Sequence, residues 1–435
     1  MTKKPKKKPA PQPACMSLSS SVDELLADAL KTEPGAQNTG RTVLTFKDGA
    51  NGDMAAMFQA SGARVADARD YVDQSVDLSQ LSDADVLMLP EINVAVMTPR
   101  AVEASAVGEM SALSSDSPIA SIDPEHFVHA IDKSSEFMRG FLQATRAIAE
   151  GQALLESEPD LMVEAEASGV TWGLAACKVP ESSRSGAGIK VAVLDTGLDF
   201  GHPDFVGRRI TGKSFVGGTE QDGNGHGTHC IGTACGPQSP TGPVPRYGIG
   251  YGAQIYVGKV LADNGSSVGT SVLLGMNWAI ANRCEVISMS LGGRTSTVYQ
   301  PYVRAGQRAL DNGLLMIAAT GNQRSLTAAP ANSPTIMAVA SLDPNLKRSN
   351  FSNYGKVEIA APGRDVLSSA PRPELYREAA GTSMATPHVA GCAALWAQTD
   401  PRLRGKALWD RLQRAARPLS EPAKFVGSGL VQAPS

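Results

Sequence analysis

Four side chains that could do chemistry together lie far apart in this chain: Asp195, His226, Asn322 and Ser383. Ser383 stands in Gly381-Thr-Ser-Met-Ala-Thr-Pro-His-Val-Ala-Gly391, where a turn-forming glycine precedes an apolar run of small residues. That pattern predicts a buried helix starting at the serine. A serine at such a junction can simply cap the helix. It can also be a nucleophile, because unpaired N–H groups and the positive end of the helix dipole stabilise negative charge developing there. The second reading requires a histidine base, a carboxylate behind it and an oxyanion donor.

All three lie upstream. Asp195 ends the apolar run Val191-Ala-Val-Leu194 and precedes Thr-Gly197, so it either caps a turn or sits in a dry site to orient a histidine. His226 lies in Asp222-Gly-Asn-Gly-His-Gly-Thr-His-Cys230, with glycines that let the backbone approach a substrate closely. A metal reading of His226 and His229 competes, but no acidic or cysteine set of plausible spacing accompanies them apart from Cys230. Asn322 follows Ala318-Ala-Thr-Gly321 directly, and its amide, with the Ser383 N–H, would make a two-donor hole for an oxyanion. The order Asp, His, Ser is one of three known for such triads.

These residues need a rigid frame, and the chain supplies one. From about Val170 apolar strand-like runs (189–194, 254–260, 286–289, 314–319, 336–340) alternate with helix-like segments (226–235, 268–282, 302–312). This predicts an α/β unit with a mostly parallel central sheet covered on both faces, in which reactive groups collect at the carboxyl ends of strands. Upstream, residues 41–131 read as a small α+β domain in the order β–α–β–β–α–β: strands at 42–46, 63–66, 86–97 and 118–123, and helices at 53–60 and 101–113. From Glu125 to about Glu156 apolar residues such as Phe127, Ala130, Phe137 and Ile148 recur at helical spacing, which predicts one or two amphipathic helices. The expected boundaries are a basic, proline-rich disordered tail over 1–40, the α+β domain over 41–131, a helical extension over 132–168, the α/β domain over 169–418 and a tail over 419–435.

The 435 residues carry a net charge of −3, are 42% hydrophobic and contain 43 Gly, so the chain is globular and nothing in its charge points to nucleic acid. No apolar run reaches the ~18 residues of a membrane helix. The lysine-rich start lacks the apolar core of a signal peptide, so localisation stays open between a chain that is intracellular as it reads, one whose true start differs and one exported by another route. Six dispersed cysteines without a CxxC pair read as free thiols.

The strings VAVLDTGLD, DGNGHGTHC, SLGG, ATGN and GTSMATPHVAG together resemble the subtilisin-like serine proteases, the subtilases, and Gln221–Cys230 is similar to their proteinase K branch. Sedolisins share that fold but use a Glu and an Asp where His226 and Asn322 stand. The resemblance covers about 170–418 and implies a three-layer fold and endopeptidase activity, with a triad of Asp195, His226 and Ser383 and with Asn322 in the oxyanion hole. It implies a substrate strand held between Gly265–Ser266 on one side and Ser290, Leu291 and Gly292 on the other, with Ala318, Ala319, Thr320 and Gly321 as the second wall of the P1 pocket. Thr320 departs from the alanine common at its place. Cys230 would be a buried thiol beside the histidine and a target for mercurials. No cofactor is needed for the chemistry. Structural calcium is common in the family; Asp204 matches one ligand, and Glu358 with carbonyls near Pro334 is a weaker candidate, but the ligand set is too sparse to assign a metal. Pro118–Ala130 resembles the closing strand of the subtilase inhibitory propeptide, which makes the N-terminal domain an intramolecular inhibitor and the chain a self-processing zymogen. A transpeptidase or macrocyclase on the same fold, and a non-catalytic scaffold, are the alternatives.

Overall fold

The computed structural model describes residues 17–21, 24–25, 37–81, 83–104, 117–131, 169–293 and 295–435. The expected helical extension over 132–168, most of the expected tail and the end of the 101–113 helix lie outside the described residues.

The N-terminal domain is a sheet of β1 (Asn38–Phe46), β2 (Val65–Asp67), β3 (Val86–Leu89), β4 (Val94–Met97) and β5 (Ile119–Ala130), with helices at Asn51–Ala60 and Pro99–Ala104. Its strand order is β5-β1-β4-β3-β2, antiparallel except between β2 and β3. β1 begins at Asn38, four residues earlier than the pattern suggested. Leu18 and Leu25, within the expected tail, are buried, and Arg41 Nη2 donates to the carbonyls of Ser17 (2.7 Å) and Leu18 (3.0 Å). The helical spacing of Phe127 and Ala130 misled: both lie in β5, a strand of 12 residues. Cross-strand pairing decides this, because the end of β5 is gripped from both sides by the second domain.

The second domain is built on β6 (Lys190–Asp195), β7 (Ile210–Ser214), β8 (Gln254–Lys259), β9 (Ser266–Val268), β10 (Val286–Met289), β11 (Leu291–Gly292), β12 (Leu315–Ala319), β13 (Met337–Leu342) and β14 (Ile359–Pro362). Seven of these form one sheet, β14-β13-β12-β10-β6-β8-β7, and every pairing in it is parallel. Strand side chains alternate between faces, so each strand feeds two cores. Val191, Val193, Ile255, Val257 and Ile317 pack with Ile231, Val389 and Leu395 of helices His226–Cys235 and Thr382–Thr399. Ala192, Leu194, Ile287, Met289 and Met316 pack with Leu273 and Trp278 of helix Gly269–Ala281 and with Ala305 and Ala309 of helix Gln300–Asp311. The result is three layers, helix–sheet–helix. A hairpin of β15 (Val366–Ser369) and β16 (Tyr376–Ala379) leads into the last long helices. The expected tail over 419–435 packs on this domain: Leu430 and Val431 are buried, and the amides of Val431 and Ala433 donate to Ala360 O (3.0 Å) and Cys177 O (2.8 Å). Among the described residues no helix is long and apolar enough to cross a membrane.

Candidate active site

The sheet order reverses around β6. The chain goes to β7 and β8 on one side of it and to β10, β12, β13 and β14 on the other. A crevice opens at the carboxyl ends of strands at such a point, and Asp195 is the last residue of β6.

Asp195 is fully buried, and its Oδ1 accepts from Thr196 N and His226 Nδ1, each at 2.7 Å. His226 opens its helix because Gly225 turns the chain with φ +97°; a Cβ there would lie 2.6 Å from Arg377 Nη2. Asp222, which composition alone did not single out, fastens this turn. Its carboxylate accepts from the amides of Asn224 (3.0 Å), Gly225 (2.7 Å) and Thr228 (2.8 Å) and from the hydroxyls of Thr196 (2.9 Å) and Thr228 (2.7 Å). Burial pushes the Asp222 pKa up, but these donors hold it below the usual carboxylate range. Burial likewise works against a charged His226, yet the Asp195 carboxylate, with smaller help from Cys230, holds its pKa well above the ordinary imidazole value.

Ser383 is the second residue of helix Thr382–Thr399, so its N–H has no intrahelical acceptor. Pro387, four residues on, has no N–H to give to Ser383 O. That carbonyl instead accepts from Ser290 Oγ (2.8 Å) and Cys230 Sγ (3.6 Å). Cys230 Sγ is also 3.9 Å from His226 Nδ1, so the thiol stands between the histidine and the serine helix. Asn322 is oriented by its neighbour: Thr382 N (2.9 Å) and Thr382 Oγ1 (3.0 Å) both donate to Asn322 Oδ1, which leaves Nδ2 to point outward.

The atom on which these groups converge belongs to the N-terminal domain. Ile131 O accepts from Ser383 Oγ at 2.5 Å and from Asn322 Nδ2 at 2.9 Å. A Cβ on Gly381 would stand 3.2 Å from that oxygen and 2.9 Å from Asn322 Nδ2, so only glycine leaves the site open. His226 Nε2 has no hydrogen-bond partner among the described residues. The structure thus joins Asp195 to His226 directly, and Ser383 to Asn322 through Ile131 O.

The residues expected to hold a substrate strand hold β5. Phe127–His129 pair antiparallel with β9 in register His129↔Ser266, and His129–Ala130 pair antiparallel with β11 in register Leu291↔Ala130 and Gly292↔His129. Gly265 O accepts from Ala130 N (2.8 Å) and Ser290 O from Ile131 N (3.2 Å). The second expected wall lies in the frame behind: Ala318 and Ala319 are the buried last two residues of β12, Thr320 O accepts from Ala328 N (3.0 Å), and Gly321 N donates to Thr382 Oγ1 (3.2 Å). Away from the cleft, Glu125 of β5 is fully buried at the start of helix Gly269–Ala281. It accepts from Thr270 N (2.7 Å), from the Thr270 hydroxyl and from Thr39 Oγ1 (2.5 Å), with Arg41 Nη1 3.5 Å away.

Asp195, His226 and Cys230 present ligand-type atoms within 4.8 Å of one another. Two of them are already bonded to each other, so a metal there would have to displace the Asp195–His226 bond. The calcium candidates do not fit that ion, which takes about six to eight oxygens. Asp204 Oδ2 accepts from Tyr247 Oη (2.5 Å) and Oδ1 from Thr241 N (2.7 Å). Glu358 Oε2 accepts from Ala338 N and Lys356 Nζ, each at 2.7 Å. Protein donors do at Asp204 what a cation would do. Tyr247→Phe is therefore expected to lower stability by about 1–3 kcal/mol, equally in excess calcium and in excess EGTA. Thermal unfolding of the full chain checks this, and a deficit that calcium repairs would return Asp204 to the role of a metal ligand.

Residues 186–429 match the model of the subtilase family, peptidase S8. The chain is 38% identical over 283 residues to an alkaline protease of Alkalihalobacillus alcalophilus, covering 63% of this chain and 72% of that protein. It is 39% identical over 274 residues to subtilisin Savinase of Lederbergia lenta, covering 61% of this chain and 98% of that protein. The crystal structure of a cold-adapted subtilisin-like serine proteinase aligns with a TM-score of 0.53 at 32% identity, over 58% of this chain and 92% of its own.

Proposed function

The chain belongs to the subtilase family and is a serine endopeptidase acting on polypeptides, and from that premise we propose that Asp195, His226 and Ser383 are its triad, Asn322 its oxyanion donor and the domain before residue 132 its intramolecular inhibitor. One observation carries the reading: a carbonyl oxygen of an extended strand lies between Ser383 Oγ and Asn322 Nδ2. That is where the acyl oxygen of a peptide substrate belongs.

The chemistry follows from the contacts. When His226 is neutral, with its Nδ1 proton given to Asp195, its Nε2 is the atom left to take the Ser383 proton, which in this structure goes to Ile131 O. Ser383 Oγ then attacks the carbonyl carbon, and the charge that forms on the oxygen meets Asn322 Nδ2 and the Ser383 N–H. His226 returns its proton to the leaving amine, and water releases the acyl group by the same route. While β5 fills the groove between β9 and β11, no other polypeptide can use it.

Fluorophosphonate labelling tests the assignment. Processed enzyme is expected to take up one probe, on Ser383, and to hydrolyse peptides without ligated products. Labelling elsewhere, or none, would overturn it. Asn322→Ala is expected to lower kcat by about 10²–10³ with little change in KM, the size of loss found for this kind of donor in a subtilisin. Steady-state kinetics of the processed variant checks that figure.

A further inference from the structure

We propose that the bond between Ile131 and Asp132 is the one this protease cuts in its own chain, and that Val128–Ile131 displays its substrate class: extended segments carrying a branched aliphatic residue immediately before the scissile bond. The inference deepens the endopeptidase reading and rests on it.

The position of the bond follows from the backbone. Antiparallel pairing runs up β5 to His129 on the β9 side and to Ala130 on the β11 side, and the last described amide of the segment, Ile131 N, donates to Ser290 O. The next polar atom is Ile131 O, between Ser383 Oγ and Asn322 Nδ2. Ser383 Oγ also lies 3.2 Å from Ser290 O, but of the two carbonyls it is Ile131 O, the nearer, that Asn322 Nδ2 holds as well. Attack forms the Ser383 Oγ–C bond and breaks the bond from Ile131 C to Asp132 N. The Ser383 proton passes through His226 to the new Asp132 amine. Water then cleaves the ester, leaving the Ile131 carboxylate and restoring the serine.

The substrate class follows from the side chains. Ile131 is 7% exposed, and its Cδ1 lies 3.0 Å from where a Cβ on Gly292 would stand, so the pocket is filled to its wall. Behind Gly292, Gly293 N donates to Ala329 O (3.0 Å), while Ala328 N donates to Thr320 O (3.0 Å). The segment 328–329 therefore ties the 291–293 strip to the 318–321 strip, and Ala329 O stands 2.7 Å from the same point beside Gly292 that Ile131 Cδ1 approaches. The described residues of these walls, Ser290–Gly293, Ala318–Gly321 and Ala328–Ala329, include no carboxylate to receive a lysine or arginine. With Ile131 Cδ1 already against Gly292, a larger aromatic ring there would have to displace that wall. Two residues before Ile131, His129 Nδ1 lies 3.0 Å from Ser266 Oγ, so that position favours a side chain able to share a hydrogen bond.

Two measurements on the full chain decide. N-terminal sequencing of the processed protein is expected to read Asp-Lys-Ser-Ser from residue 132 as the first new terminus; a first cut at another bond overturns the assignment. Chromogenic tetrapeptides Val-His-Ala-X, with X as Ile, Val, Phe or Lys, are then compared by kcat/KM. Ile and Val are expected to exceed Phe and Lys by about tenfold or more, and exchanging the histidine for alanine to cost about fivefold. Phe or Lys equal to Ile overturns the substrate class. In either failure a protein that still labels at Ser383 and hydrolyses peptides leaves the endopeptidase reading standing, so the two inferences fail separately.

Discussion

Replacing Ser383 with alanine is expected to lower turnover by about 10⁶-fold, the loss found when a subtilisin loses its nucleophile, and to leave the chain uncut. The expectation rests on what the side chain does and does not hold. Ser383 Oγ donates to Ile131 O and lies 3.2 Å from Ser290 O. Its loss removes one or two bonds of about 1 kcal/mol each, too little to unfold a domain with two buried cores. Ile131 O keeps Asn322 Nδ2, and Asn322 keeps both donors from Thr382. The oxyanion site therefore survives, and about 10³–10⁴ of catalysis over water remains without acyl-enzyme chemistry. Intact mass of freshly purified variant and wild type is the measurement. The variant should persist at full length and fold cooperatively while the wild type shortens. A variant that shortens on its own would remove Ser383 from the processing step.

The parts of the site legible in the sequence are those whose chemistry is local. An apolar strand ending in Asp195, a glycine pair around His226 and a glycine before Ser383 state their own geometry, because a buried strand, a turn with positive φ and a close approach each demand those residue types. What was hidden depends on partners remote in the chain. Asp222 looks like one more turn residue until five donors are seen around it. Thr382 looks like helix filler, yet it orients Asn322. Phe127 and Ala130 fall at helical spacing, but backbone pairing with β9 and β11 makes them strand. Seven of the 17 residues after 418 are Gly, Pro or Ser, which suggests a tail; backbone bonds to Ala360 and Cys177, invisible to any pattern, fold them onto the domain. Asp204 shows the same limit from the other direction. A motif that matches a calcium ligand holds Tyr247 instead, because a hydroxyl 43 residues away satisfies the carboxylate first.

Asp195→Asn separates orientation from charge. An asparagine fits the same buried space but can offer its amide hydrogens to His226 Nδ1. That moves the ring proton to Nε2, where it blocks acceptance of the Ser383 proton, and a loss of roughly 10⁴ in rate is expected. The pH dependence carries a second signature. The base works only when neutral, so reactivity rises with pH through the His226 pKa. In the wild type burial lowers that pKa, but the Asp195 carboxylate overrides burial and holds it well above the ordinary value, placing the rising limb on the alkaline side. Without the carboxylate burial is left unopposed, and the limb moves to lower pH. Stability moves with the same sign rule. A raised folded pKa stabilises the native state fully below the ordinary imidazole pKa of about 6.5, and that contribution disappears as pH rises through the folded value. The wild type should therefore lose, on going alkaline, a stabilisation that the variant never has. The rate of fluorophosphonate labelling at Ser383, followed by mass from pH 5 to 10, reads both effects on the reacting side chain itself. A variant labelling within tenfold of wild type, or with its limb unmoved, would show that Asp195 neither fixes the tautomer nor supplies the charge.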